Sequence, residues 1–246
     1  MRDDLLPVQA CLDWAETQFT RNLFDKLESW RNSAPYRLVE ERHPEIRQQV
    51  IKLDGVKPVS RLINVEVGMI IHAMRSALDL LMVVLAERNG HRAPKDIYFP
   101  VGRSFSDFID PKNGAIKKIH RLSAVDRAAI EALKPYKGGD DVIFALHQLD
   151  LTRKHRELLR VQHFPSAIGV TPAALRQALE IVPVWPGFYD GAIVATTMIG
   201  ATDYQPQITL AIAFEQMGLS ATDGRGVLEV IAIFYGKVSD IIKMFN

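Results

Sequence analysis

Met69-Ile-Ile-His72-Ala-Met-Arg75-Ser76-Ala-Leu-Asp79-Leu-Leu-Met-Val-Val-Leu-Ala86 is the stretch on which the fold turns. It is apolar on almost every side, and a helix of that kind is normally surrounded by protein. At about 100° per residue, His72, Arg75, Ser76 and Asp79 share one arc roughly 100° wide. Buried ionisable groups are costly unless paired. The polar arc must therefore face a neighbouring element or a solvated cleft. The stretch is long enough to suggest a membrane span, but Arg or Asp near a bilayer centre costs about 2.5–3.5 kcal/mol each. No membrane is expected.

A second helix repeats the anomaly: Val142-Ile-Phe-Ala-Leu-His147-Gln-Leu-Asp150-Leu-Thr-Arg-Lys154-His155-Arg-Glu-Leu-Leu159. His147, Asp150 and Lys154 fall within about 60° of one another. The same arc carries Ile143, Phe144, Leu151, Leu158 and Val161, so the charged residues sit inside an apolar stripe, with His155 at its edge. Arg153, Arg156 and Arg160 lie opposite and read as a solvated face. The two polar sets are expected to meet, with Arg75 or Asp79 in salt-bridge reach of Asp150 or Lys154.

The rest of the chain supplies the context. Of 246 residues, 48% are apolar and 24% charged, an ordinary globular balance that can bury a core. Net charge is +1, which removes any global signature of polyanion binding. Nucleic acid is thus the less favoured partner. Its only local candidates are Lys117-Lys118-Ile-His120-Arg121 and Arg153 to Arg160, which solvated faces explain equally well. The single Cys11 and the lack of a charged-then-apolar leader suggest a reducing, cytoplasmic setting.

Residues 9–32 read as an amphipathic helix. Tyr36–Glu41 and Ile46–Leu53 read as strands around His43-Pro44. Ser60 can cap the long helix and Asn89-Gly90 can stop it. Residues 104–121 suggest short helices broken at Pro111, and Ser123-x-x-Asp126 resembles a capping box. Glu180–Val184, Ala192–Ile199 and Gln207–Phe214 are expected to form an antiparallel meander, with residues 171–179 a short helix or another strand. Residues 223–245 return to helix, with Val227, Ile231, Phe234, Val238, Ile241 and Phe245 on one stripe. The expectation is one α+β domain over residues 1–246, helix-rich to 165, then a small antiparallel sheet and a C-terminal helix.

The His72-x-x-Arg75-Ser-Ala-Leu-Asp79 segment, the Tyr98-Phe99-Pro100-Val101 stretch and Asp150-x-x-x-Lys154-His155-Arg156 together resemble a broad set of uncharacterised bacterial proteins with an H-x-x-R-S-A-L-D helix, an F-P segment and a later D/N-x-x-x-K-H-R helix. The resemblance spans most of the chain and implies a shared fold. It brings no activity. A fainter likeness is to metal-independent HEPN ribonucleases, whose helical domains carry R-x(4–6)-H. Arg156-x6-His163 fits on an extended helix and Arg37-x5-His43 fits by spacing alone, but such short matches are common by chance.

The candidate cluster is His72, Arg75, Asp79, His147, Asp150, Lys154 and His155. It is read first as a structural network in which Asp79 and Asp150 neutralise Arg75 and Lys154. The leading functional reading is a pocket for a small anion or nucleotide, held by Arg75 and Lys154, with a histidine for proton transfer. A HEPN-like ribonuclease is the alternative, and the sequence does not decide whether the protein is an enzyme. No metal or cofactor is expected, because Arg75 and Lys154 would repel a cation. Ser76 lacks a Gly-x-Ser-x-Gly elbow, so nucleophilic catalysis is not expected. Phe99-Pro100 reads as a loop anchor, and Trp185–Tyr189 as a turn with partial packing. Self-association through a helical surface or a sheet edge is the further expectation, drawn from Leu228, Ile233 and Met244 beside the terminal stripe.

Overall fold

The computed structural model describes residues 2–92, 95–112, 114–155, 159, 161–169, 179–181, 189–198, 207–215 and 217–246. Helix α1 (Leu6–Thr17) passes through a π-helical turn at Gln18–Leu23 into α2 (Phe24–Asn32). Strands β1 (Arg37–His43) and β2 (Gln48–Asp54) form an antiparallel hairpin. Helix α3 (Arg61–Arg88) follows, its first turn capped by the Ser60 hydroxyl, which accepts from Leu62 N–H. Two short helices come next, α4 (Phe105–Ile109) and α5 (Ala124–Ala132), then α6 (Asp141–His155). Strands β3 (Val161–Gly169), β4 (Leu179–Ile181), β5 (Ile193–Met198) and β6 (Gln207–Phe214) lead into α7 (Val227–Lys243). The fold is α+β, as expected.

Helix α3 is the centre of the molecule, packed by α1, α6 and α7. Thirteen of its residues are buried, among them Ile70, Ile71, Met74, Leu78, Leu81 and Leu85. It is the one helix among the described residues long and apolar enough to cross a membrane, and more than half of its most apolar stretch is buried inside the protein. This placement is consistent with a soluble protein. At its far end Arg88 reaches both carboxylate oxygens of Asp4, at 2.7 and 2.8 Å, and the carbonyl of Phe245, at 2.7 Å. One guanidinium thus ties the start, middle and end of the chain together. Helix α6 is fixed at its N-terminus by Asp140, whose Oδ1 accepts from Val142 and Ile143 N–H and whose Oδ2 holds Lys237 of α7 at 2.8 Å.

The strands depart from the expected meander. One antiparallel sheet has the order β1-β2-β5-β4, so the early hairpin joins the later strands through β2 and β5. Strand β6 does not continue that sheet. It pairs instead with β3, with Val161 opposite Phe214 and Gly169 opposite Gln207. A small core of Ile51, Leu53, Ala192, Val194 and Ala195 lies under the four-stranded sheet, separate from the helical core. The hairpin thus lies with the later strands, and α7 with the helices. Residues 171–178 and 185–188, read as a short element and an aromatic turn, lie outside the described residues.

Candidate functional site

The polar residues of α3 and α6 face each other across the helix seam. The pairing differs from the expected one. Each acid takes its cation from its own helix, four residues away: Arg75 Nη1 lies 2.6 Å from Asp79 Oδ1, and Lys154 Nζ lies 2.6 Å from Asp150 Oδ2. The histidines make the crossings. His72 Nδ1 meets Asp150 Oδ1 at 2.9 Å, and Arg75 Nε donates to His147 Nδ1 at 3.4 Å.

The cluster has an inner and an outer half. Arg75 is 5% exposed, and besides Asp79 and His147 it donates through Nη2 to the Phe99 carbonyl at 2.8 Å. Its guanidinium also stands 5.8 Å from the centre of the Phe99 ring, a cation–π contact. Asp79 Oδ1 accepts from Phe99 N–H at 2.9 Å. The main chain of one residue is thus held at both its N–H and its C=O by an Arg–Asp pair one helical turn apart. Pro100 favours this arrangement, since the residue before a proline is kept extended and offers both groups sideways. Phe99 is buried as the loop anchor the sequence suggests. That its backbone serves as a polar partner was not legible, because side-chain patterns do not report main-chain hydrogen bonds.

Burial first, then the charges of Arg75 and Lys154, pushes the His147 pKa down to about 4, against the pull of Asp150. His147 is therefore neutral at pH 7, which is the form able to accept from Arg75 Nε. Burial likewise raises the Asp79 pKa, opposed by Arg75, the Phe99 N–H and Lys154.

The outer half is built differently. Asp150 is 2% exposed, whereas the side chains of His72 and Lys154 are 35% and 34% exposed. One buried carboxylate holds two solvent-reaching groups, one on each oxygen. Because the carboxylate can only accept, His72 Nδ1 carries the hydrogen, and Nε2 of the neutral ring is left as an acceptor. Ser76 Oγ lies 3.5 Å from that Nε2.

His155 is the last described residue of α6, and its side chain lies outside the described ones. Arg153 is not on a fully solvated face. Its stem crosses Gly68 of α3, where a Cβ would come within 2.8 Å of Arg153 Cδ, and its guanidinium reaches Met69 Sδ at 3.0 Å. His163 stands in β3, so the Arg156-x6-His163 spacing is not carried on one helix. Arg37 and His43 lie on β1. Among the described residues, no three His, Cys, Asp or Glu side chains converge as a metal-ligand set.

No family model matches this chain, and neither the curated proteins nor the solved structures contain a match.

Proposed function

We propose that the inner half of the cluster is structural and that its outer half binds a small anion, a phosphate group or a nucleotide. The observation that carries this reading is the sharing of Asp150. A fully buried carboxylate orients Lys154 and His72 at once while leaving both partly in water. Arg75 is 5% exposed and ion-paired with Asp79, with Nε and Nη2 turned to His147 and Phe99, so it offers little to a ligand arriving from solvent. Lys154 has protons beyond the one directed at Asp150, and His72 adds a second donor when protonated. A cytoplasmic protein working on small metabolites fits the lone Cys11, which is not paired. The ribonuclease alternative draws no support from the Arg-x-His spacings, since neither pair lies on a helix.

Isothermal titration with inorganic phosphate and with AMP tests the proposal. We expect saturable binding that weakens at least about tenfold in Lys154→Met, since one charge-assisted hydrogen bond contributes about 1.5–3 kcal/mol. No binding at millimolar ligand, or binding indifferent to Lys154→Met, overturns it. Cleavage of single-stranded RNA by the wild-type protein that is lost in His163→Ala would favour the ribonuclease instead.

A further inference from the structure

The geometry points to Ser76 as a nucleophile, activated by His72 and positioned through Asp150, for the hydrolysis of small esters carrying an anionic group. The inference rests on the outer half being a ligand site and goes beyond binding. Two atom-to-atom relations carry it. Asp150 Oδ1 accepts from His72 Nδ1 at 2.9 Å, which fixes the ring tautomer and orientation. Nε2 is thereby left as the basic nitrogen. Ser76 Oγ, one helical turn along α3, stands 3.5 Å from it. Nucleophile, base and buried orienting carboxylate in that order is the arrangement of a catalytic triad, which is recognised by geometry and roles rather than by sequence motif. The serine–histidine distance is long, as is common before a substrate draws the pair together.

The lack of a Gly-x-Ser-x-Gly elbow argued against a nucleophilic serine. An elbow is one way to present a hydroxyl, and a partly exposed helix face is another: both Ser76 and His72 are half-buried at the outer edge of the seam. No backbone N–H near the middle of α3 is free to stabilise an oxyanion, because helical N–H groups are spent on the preceding turn. Lys154 supplies the positive charge on this side of the cluster, held against the same carboxylate. Its place favours substrates that bring their own negative group.

The chemistry balances with water as the only co-reactant. Ser76 Oγ attacks the carbonyl carbon, its proton passes to His72 Nε2, and the carbon–oxygen bond to the alcohol breaks. His72 returns that proton to the departing alkoxide. Water then attacks the acyl-serine with His72 again as base, releasing the carboxylic acid and restoring Ser76.

An alkyl fluorophosphonate reports the same first step without knowledge of the substrate. Ser76 oxygen bonds to phosphorus, the phosphorus–fluorine bond breaks, and fluoride leaves. We expect intact-mass analysis of the full chain to show one adduct, mapped to Ser76, absent in Ser76→Ala and formed at least 100-fold more slowly in His72→Gln. Circular dichroism confirms that both variants fold. The labelling rate should rise with pH in the wild type and lose that dependence in His72→Gln. Asp150→Asn should move the midpoint of that profile, a change that a packing role would not produce. No adduct at Ser76, or labelling indifferent to His72→Gln, overturns the inference. Phosphate binding without labelling defeats the nucleophile and leaves the binding site standing, whereas labelling without phosphate binding does the reverse.

Discussion

At the scale of single residues, His147 has the clearest physical signature. In the unfolded chain its imidazole takes up a proton near pH 6.5, but in the folded protein only near pH 4. Between those values the unfolded state binds more protons, so stability is present above the window and is lost on acidification through it. A displacement from 6.5 to about 4 corresponds to about 3 kcal/mol. His147→Gln removes the titration while leaving an amide oxygen that can accept from Arg75. Denaturant unfolding at pH 7 and pH 4 should show the wild type losing about 3 kcal/mol more than the variant. Asp79, its pKa raised by burial, works in the opposite sense: its contribution is present at low pH and fades as pH rises past 3.8. It is common to both proteins and cancels in the comparison. Wild-type and variant losses of equal size would show that His147 titrates freely. The sequence marks His147 as a charged-type residue on an apolar stripe. It does not reveal the depth of burial, nor that Arg75 Nε points at the ring, which together keep it neutral.

At the scale of elements, the seam between α3 and α6 was legible from two helices each carrying polar residues inside an apolar surface. The pairing was not. Helical spacing favours contacts four residues apart on one helix, and both acids follow that local rule, leaving the histidines to bridge. The sharing of Asp150 leads to a prediction about coupling. Lys154→Met leaves the carboxylate with His72, and His72→Gln leaves it with Lys154. Because the retained partner still serves it and both side chains are about one-third exposed, each single change should cost only about 1 kcal/mol. The double variant strands a buried charge, at about 3–5 kcal/mol, well beyond the sum of the singles. Adding Asp150→Asn should recover part of that loss. Strictly additive singles would mean that the two groups do not share one carboxylate in solution. The start of β3 was illegible for a different reason. Arg156–Val161 continues the helical pattern, yet β3 begins at Val161 because it pairs with β6, more than forty residues further on. Local periodicity carries no information about so distant a partner.

At the scale of the whole molecule, the two separate apolar cores set unequal stabilities. The helical core gathers α1, α3, α6 and α7 around fully buried residues such as Ile71, Met74, Leu81 and Phe234. The sheet core is five small or medium side chains, and β1 on its outer edge is largely exposed. A two-stranded hairpin is marginal by itself, so β1 and β2 depend on pairing with β5 for their order. Opening the sheet exposes little apolar surface compared with opening the helices. Native-state hydrogen exchange should therefore show the amides of β1, β2 and β5 opening together, at least about tenfold faster than those in the middle of α3. The candidate site lies in the helical core, so damage to it should register there first. In the variant lacking both Lys154 and His72 partners, protection of α3 and α6 should fall while that of the sheet stays unchanged, until global unfolding becomes the easier route. If sheet and helix amides instead lose protection in step from the first small destabilisation, the chain unfolds as one cooperative unit. The separate packing of the two cores would then have no energetic consequence.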